Sequence, residues 1–268
     1  MDAQSPIRIG AVSYLNTKPL IYRLAEFAPQ AELVLEVPSR LADELAAGRL
    51  DVALIPSIEF FRDPSYAILS DACIGCQGPV LSVKLFFRVP PANVRTLALD
   101  EGSRTSAVLA QILLHEQFGV RPKLEPLPVE RGLADTQADA VLLIGDRAIH
   151  SPVGPFHAVW DLGDEWRRWT GLPFVFAMWV ARGGRELSAI EQALSQSRDA
   201  GLQNLSSIAA AEAPRLGLTQ PECLSYLRDS LHFHLGSEER EGLELYRQLA
   251  NRLQSSATAT LEPVPNPR

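Results

Sequence analysis

Ile7-Arg8-Ile9-Gly10-Ala11-Val12, followed by Ser13-Tyr14-Leu15-Asn16-Thr17-Lys18-Pro19-Leu20, opens the chain with a short apolar run that breaks into a polar turn. The first six residues read as a buried strand. The turn leads to a helix over residues 19–28, with proline in its first turn and Pro29 just beyond its end. Downstream, residues 33–37 read as a second strand. Ser39 caps a helix whose Leu41, Ala42, Leu45 and Ala46 share one apolar face and which ends at Gly48. Residues 51–55 form a third strand. Short β-rich runs alternating with helical periods predict βαβ units and a parallel sheet.

The same alternation restarts with a strand at residues 96–99, a helix at 103–118 closed by Gly119, and strands at 123–127 and 140–144. Two similar α/β lobes are therefore predicted. Residues 80–89 and 174–181, rich in Val and Phe, read as the crossings between them. After Gly183-Gly184 the pattern is helical over residues 186–213, 220–235 and 238–253, and residues 255–268 read as a frayed end. The predicted division puts residues 1–90 and 174–268, including the C-terminal helices, in the first lobe, and residues 91–173 in the second. Such an α/β architecture is a clamshell that closes on a small ligand, with a helical C-terminal segment packed on the first lobe.

Composition narrows the guest. Across 268 residues, 25 Lys and Arg stand against 32 Asp and Glu, a net charge of -7. That balance excludes the general basic surface which a nucleic-acid or anionic-membrane partner requires. Three cysteines, Cys73, Cys76 and Cys223, are an odd number and fit reduced thiols in a cytoplasm. Residues 1–6 carry neither a basic n-region nor an apolar h-region, and the longest apolar stretch, residues 173–181, is too short for a bilayer span. The expectation is a cytoplasmic protein.

Ligands in open α/β sheets sit beyond the carboxyl ends of the strands, so the turns there predict the site. They are Ser13, Tyr14, Asn16, Thr17 and Lys18 after the first strand, Ser57 after the third, and Ser82-Val83 on the first crossing. The second lobe adds Ser103-Arg104-Thr105-Ser106 and Gly145-Asp146. Hydroxyls and amides dominate, and three of these turns open helices, whose free N–H groups favour negative charge. Charge-assisted hydrogen bonds contribute roughly 1.5–3 kcal/mol each, so a few donors from each lobe can hold a small anion despite the net charge. For any one of these residues taken alone, an ordinary helix cap is the commoner explanation. The run 103–106 is different, because a cap needs one hydroxyl and this turn supplies three and a guanidinium.

Other features carry less. Cys73-Ile74-Gly75-Cys76 has C-x-x-C spacing without the second pair or histidines that zinc needs. His232 and His234, read as helical, would point about 200° apart and could not share a metal. The acids of Asp161-Leu162-Gly163-Asp164-Glu165 are of the type that binds Mg²⁺, but their place at a helix amino terminus already explains them, and capping is the reading taken. No G-x-G-x-x-G, P-loop or G-x-S-x-G occurs. No metal and no cofactor is expected.

The segment from Ile7 to Leu20 closely resembles the opening signature of the MqnA family, the chorismate dehydratases of the futalosine route to menaquinone. Gly78-Pro79-Val80 with Ser82-Val83, Asp100-Glu101-Gly102-Ser103-Arg104-Thr105-Ser106, Leu143-Ile144-Gly145-Asp146, and Asp161-Leu162-Gly163 with Trp166 and Thr170-Gly171-Leu172-Pro173-Phe174 join it in order. The resemblance covers about residues 7–182 and implies a type II periplasmic-binding-protein-like fold. It further implies loss of water from chorismate to give 3-[(1-carboxyvinyl)oxy]benzoate. Chorismate is a small dianion that suits donors on both lobes, with Arg104 and Lys18 as the cationic contacts. Two proton acceptors stay open: Asp146, or the substrate's own enolpyruvyl carboxylate oriented by Asn16. Two alternative readings share the clamshell: the enzyme of the same pathway that releases 1,4-dihydroxy-6-naphthoate, and a non-catalytic small-anion binding protein.

Overall fold

A computed structural model describes residues 6–150 and 154–259. The expectations for residues 1–5 and 260–268 lie outside the described residues. The strands are β1 (Ile7–Val12), β2 (Ala31–Glu36), β3 (Val52–Pro56), β4 (Tyr66–Cys76), β5 (Val83–Phe87), β6 (Thr96–Asp100), β7 (Lys123–Leu127), β8 (Ala140–Ile144), β9 (Ala158–Asp161), β10 (Phe174–Arg182) and β11 (His232–His234). They form two sheets, ordered β11-β4-β10-β3-β1-β2 and β7-β6-β8-β5-β9.

The two sheets share one plan. In the first, β1 pairs in parallel with β2 and β3, and β10 and β4 continue antiparallel. In the second, β6 pairs in parallel with β7 and β8, and β5 and β9 continue antiparallel. In both, the strand order reverses between the first and third strands, and that switch point opens a crevice at the strand ends. The parallel strands β3 and β8 are buried throughout, because helices cover both faces of each sheet. Phe86, Ala98, Val141 and Leu143 line one face of the second sheet. Leu85, Phe87, Leu97 and Leu142 face the other way, into the large core shared with the first lobe.

Several expectations are corrected. Residues 80–89 are not a crossing strand of the first lobe: Val83–Phe87 pairs with β8 and β9, so the chain changes sheet at residues 77–82. It returns at Phe174, where β10 begins. Tyr66–Cys76, not read as a strand, is the long antiparallel partner of β10. His232–His234 is not helical but a strand on the edge of β4, with the two rings 6.1 Å apart. The described residues contain no cluster of three or more His, Cys, Asp or Glu placed to hold a metal. The helix expected over 186–213 is two, Ser188–Gln203 and Leu205–Leu216, broken at Asn204. The helix expected at 19–28 is a 3-10 turn, Leu15–Ile21, and one short α-turn, Leu24–Phe27. The last helix, Ser237–Ala259, serves both lobes, since the Tyr246 hydroxyl donates to the Thr105 carbonyl at 3.0 Å. No helix among the described residues is long and apolar enough to cross a membrane.

Candidate functional site

A pocket of about 40 Å³ lies between the sheets and is lined from both lobes. The strand ends supply its apolar walls: Val12, Pro56, Ile74, Ile144, Phe176 and Ala177. Its polar lining comes from Tyr14, Asn16, Ser82, Ser103 and Ser106. No charged side chain lines it among the described residues. Two helix amino termini meet it, Pro38–Ala46 from the first lobe and Arg104–Phe118 from the second. Their dipoles favour an anion where no cation stands.

The structure divides the predicted residues. Tyr14, Asn16, Ser82, Val83, Ser103, Ser106 and Gly145 reach the pocket. Ser103 also caps its helix, accepting from the Ser106 N–H at 3.2 Å, and its hydroxyl donates to Ser106 Oγ at 2.8 Å. Ser13 is exposed, and only its backbone is engaged, at the Glu36 carbonyl. Thr17 is buried behind Asn16, donating to its Oδ1 at 3.3 Å.

Further candidates are spent elsewhere. Ser57 donates to the Val175 carbonyl at 2.8 Å and lies 3.4 Å from Thr105 Oγ1, which also accepts from the Ile58 N–H. Those two hydroxyls therefore join the lobes outside the pocket. Arg104 pairs across the cleft with Asp43 at 2.8 Å and Glu59 at 3.4 Å, and Lys18 pairs with Glu212 at 3.3 Å. Both cations expected on the ligand are thus taken by acids. Asp146 lies outside the pocket lining, where its carboxylate accepts from the Leu15 N–H at 3.1 Å and ties the second lobe to the signature turn of the first. Burial holds the Asp146 carboxyl above the ordinary carboxylate range, with the Leu15 hydrogen bond opposing.

Tyr14 sits at the seam. A β-carbon on Gly145 would come within 2.9 Å of its ring, and Gly145 has φ +70°, so glycine is required there twice over. Burial, with Asp100 next, pushes the Tyr14 hydroxyl up to about 12, so it stays protonated at ordinary pH and acts as a donor.

Three contributors have roles that sequence reasoning did not assign. Asp100, buried at the end of β6, pairs with Arg147 and accepts from the N–H groups of Gly102 and Ile144, which fixes the second-lobe turns. Burial still raises its carboxyl, with Arg147 opposing. Asp161 accepts from backbone N–H groups of the first crossing and so organises it. Tyr226, in a π-helical turn of the C-terminal segment, buries a hydroxyl that meets no hydrogen-bond partner. Ser82 and Asn16 are near enough to temper the upward shift that burial gives it, without reaching hydrogen-bond geometry. An Arg after a strand end is a weak signal for the Asp100 pair, and nothing in the sequence points to Tyr226. Cys73, Cys76 and Cys223 are free and buried, and burial pushes Cys76 up to about 12, far from a reactive thiolate.

A family model described as menaquinone biosynthesis matches residues 7–252. The chain belongs to this family. The family assignment agrees with a chorismate dehydratase of Thermus thermophilus, 34% identical over 91% of this chain and 94% of that protein. A chorismate dehydratase of Campylobacter jejuni is 30% identical over 63% of this chain and 64% of its own length. Among solved structures, a protein of Archaeoglobus fulgidus superposes with a TM-score of 0.72 at 16% identity, covering 94% of this chain and 99% of that one. The periplasmic aliphatic sulphonate binding protein SsuA of Escherichia coli superposes at 0.61 with 17% identity, covering 96% and 89%. These likenesses show the fold. The menaquinone-biosynthesis family member described here is periplasmic-binding-protein-like in architecture.

Proposed function

We propose that this protein is a hydro-lyase of the cytoplasm that removes water from chorismate, giving 3-[(1-carboxyvinyl)oxy]benzoate for menaquinone synthesis. Relatives that carry the name chorismate dehydratase support the substrate. The observation that carries the reading is the pocket itself: Asn16, Ser82, Ser103 and Ser106 converge from both lobes on an apolar space flanked by two helix amino termini. Neutral donors and dipoles of this kind suit a dicarboxylate, and the apolar walls suit its ring.

The chemistry asks little of the protein beyond orientation. The C–H bond at the ring carbon bearing the enolpyruvyl ether breaks, its electrons form the new ring double bond, and the C–O bond to the neighbouring hydroxyl breaks. Proton and hydroxide leave together as water. Aromatisation drives the step, so holding one conformer is most of the catalytic task. The base is the substrate's own enolpyruvyl carboxylate, oriented by Asn16. Two features favour it over Asp146: the Asp146 carboxylate is occupied by the Leu15 N–H, and the pocket lining holds no carboxylate among the described residues.

Incubating the purified protein with chorismate and following the product by mass tests the reading. The expected result is loss of about 18 Da, the mass of one water, with the spectrum of a substituted benzoate. Binding without conversion would favour a carrier. Conversion of cyclic de-hypoxanthine futalosine instead would favour the naphthoate-forming reading.

A further inference from the structure

The crossing at residues 77–82 places Ser82 in the pocket by an uncommon route. Leu81 has φ +62°, in the left-handed region that a leucine rarely adopts. Around it the chain makes a γ-turn, with the Ser82 N–H donating to the Val80 carbonyl at 2.7 Å. A γ-turn with positive φ at its centre is strained and persists only where surroundings over-determine it. Here the surroundings are one carboxylate. Asp161 accepts from the Val80 N–H at 2.9 Å through Oδ1 and from the Leu81 N–H at 2.6 Å through Oδ2. The same Oδ1 accepts from Gly163 at 3.0 Å and Asp164 at 3.2 Å, so the residue also caps the helix Leu162–Thr170.

Ordinary capping explains the last two bonds and leaves the first two unexplained. The helix start is pressed against the crossing, because a β-carbon on Gly163 would fall 2.5 Å from both the Gly78 carbonyl and Cys76 Sγ. Downstream, the Ser82 carbonyl accepts from the Gly145 N–H at 2.8 Å, so the Ser82 backbone is fixed on both sides.

We infer that Asp161 is a positioning residue which clamps Leu81 in its left-handed conformation and thereby aims Ser82 Oγ into the substrate pocket. The inference rests on the proposed reaction and adds to it the device that presents one of its donors.

Asp161→Asn keeps size and the Oδ1 acceptor but turns an amide NH2 toward the Leu81 N–H. Misplacing Ser82 by about 1 Å is expected to lower kcat by about 10²-fold, with KM changed by less than about threefold. Glycine adopts positive φ without penalty, so in a Leu81→Gly background the same substitution is expected to cost less than about fivefold. Loss of the helix cap lowers thermal stability alike in both backgrounds and produces no such difference. Equal losses in the two backgrounds, or a single variant within about threefold of wild type, overturn the inference.

If Asp161→Asn does not fold, the Asp161→Asn, Leu81→Gly double variant decides: kcat near wild type supports the clamp, and a loss of about 10²-fold overturns it. Hydrogen exchange on the wild-type protein is an independent readout. The Val80 and Leu81 amides should show at least about tenfold protection, and free exchange of both would overturn the clamp. Wild-type turnover measured alongside separates the two ideas. Absence of product defeats the proposed reaction, whereas product with uncoupled variants defeats only the role of Asp161.

Discussion

The turn after β1 and the turn that opens the helix Arg104–Phe118 are built from the same residue types, yet they dispose of them differently. Each sends two side chains into the pocket, Tyr14 and Asn16 from one, Ser103 and Ser106 from the other. The first turn keeps its remaining side chains within its own lobe: Thr17 backs Asn16, and Lys18 pairs with Glu212. The second sends its remainder across the cleft, Arg104 to Asp43 and Glu59, Thr105 to Ser57 and Ile58. The first turn is therefore a ligand platform joined to the second lobe through its backbone, at Asp146, and the other is a platform whose side chains form a latch. The latch is modest in its parts, since partly exposed ion pairs contribute about 0–1 kcal/mol. Parting the lobes here would break only these few bonds.

The comparison is broken most directly at Asn16. Asn16→Asp preserves volume and places a negative charge against a dianionic substrate, so kcat/KM is expected to fall by about 10³-fold. Thermal melting should stay within a few degrees, because the side chain is half-buried and its hydrogen bond from Thr17 survives. Unchanged turnover would remove Asn16 from the mechanism. A smaller loss is expected at the latch. Thr105→Val is close in volume but leaves the buried Ile58 N–H without its acceptor, at a cost of about 1–3 kcal/mol. Because that cost falls on the closed state, KM should rise by about tenfold or more and kcat much less. A kcat loss matching that of Asn16→Asp would erase the distinction between platform and latch.

Smaller again is Arg104→Gln. Its ion pairs lie at the cleft mouth with the Arg104 side chain 33% exposed, so KM should rise by no more than about fivefold. The difference from wild type should shrink between low salt and about 0.5 M salt as screening removes what the substitution removed. A salt-independent loss would move Arg104 from the latch to the ligand.

How much of this was legible follows from where each signal lives. β1, β7 and β8 fall on the residues read for them: β1 and β8 are short, mainly apolar runs between turn residues, whereas β7, with Lys123, Glu125 and Pro126, is a largely exposed edge strand on β6. β4 escaped because Ser70-Asp71 interrupts it and its pairing is set by β10, about a hundred residues away. β11 reads as helix from its flanks and becomes strand only by docking on the β4 edge. The break at Asn204 has only Gly201, still inside the preceding helix, to announce it; the Asn204 N–H turns back to the Gly201 carbonyl and its side-chain amide to the Ala200 carbonyl. In the site, residue type was legible and direction was not. The polar excess of residues 103–106 was visible, but which hydroxyl turns to substrate and which to Ser57 depends on a lobe that is distant in sequence. The Asp161 motif likewise reads as a cap, and its second pair of bonds exists only once the crossing passes over the helix start.

The least effect is expected at Asp146, and it is the one that separates the two candidate bases. As a general base its loss would cost about 10²–10⁴-fold in kcat and abolish the acid limb of the pH–rate profile. As a tie between lobes it should cost less than about threefold, since Asp146→Asn still offers an oxygen to the Leu15 N–H, and the acid limb should persist. Stability supplies an independent sign. Burial raises the folded-state carboxyl above its unfolded value, so the folded protein binds the extra proton between those two pKa values. The contribution of this group to stability is therefore complete below the ordinary aspartate range near pH ~3.9 and is lost as pH rises through the raised value. The asparagine of the variant does not titrate. On going from pH ~7 to about 4.5 the wild-type melting temperature should gain on that of Asp146→Asn by about 2–4 °C or less. A wild type that instead loses ground on acidification would mean the charged carboxylate is the form the fold prefers, with the Leu15 bond and Lys18 outweighing burial.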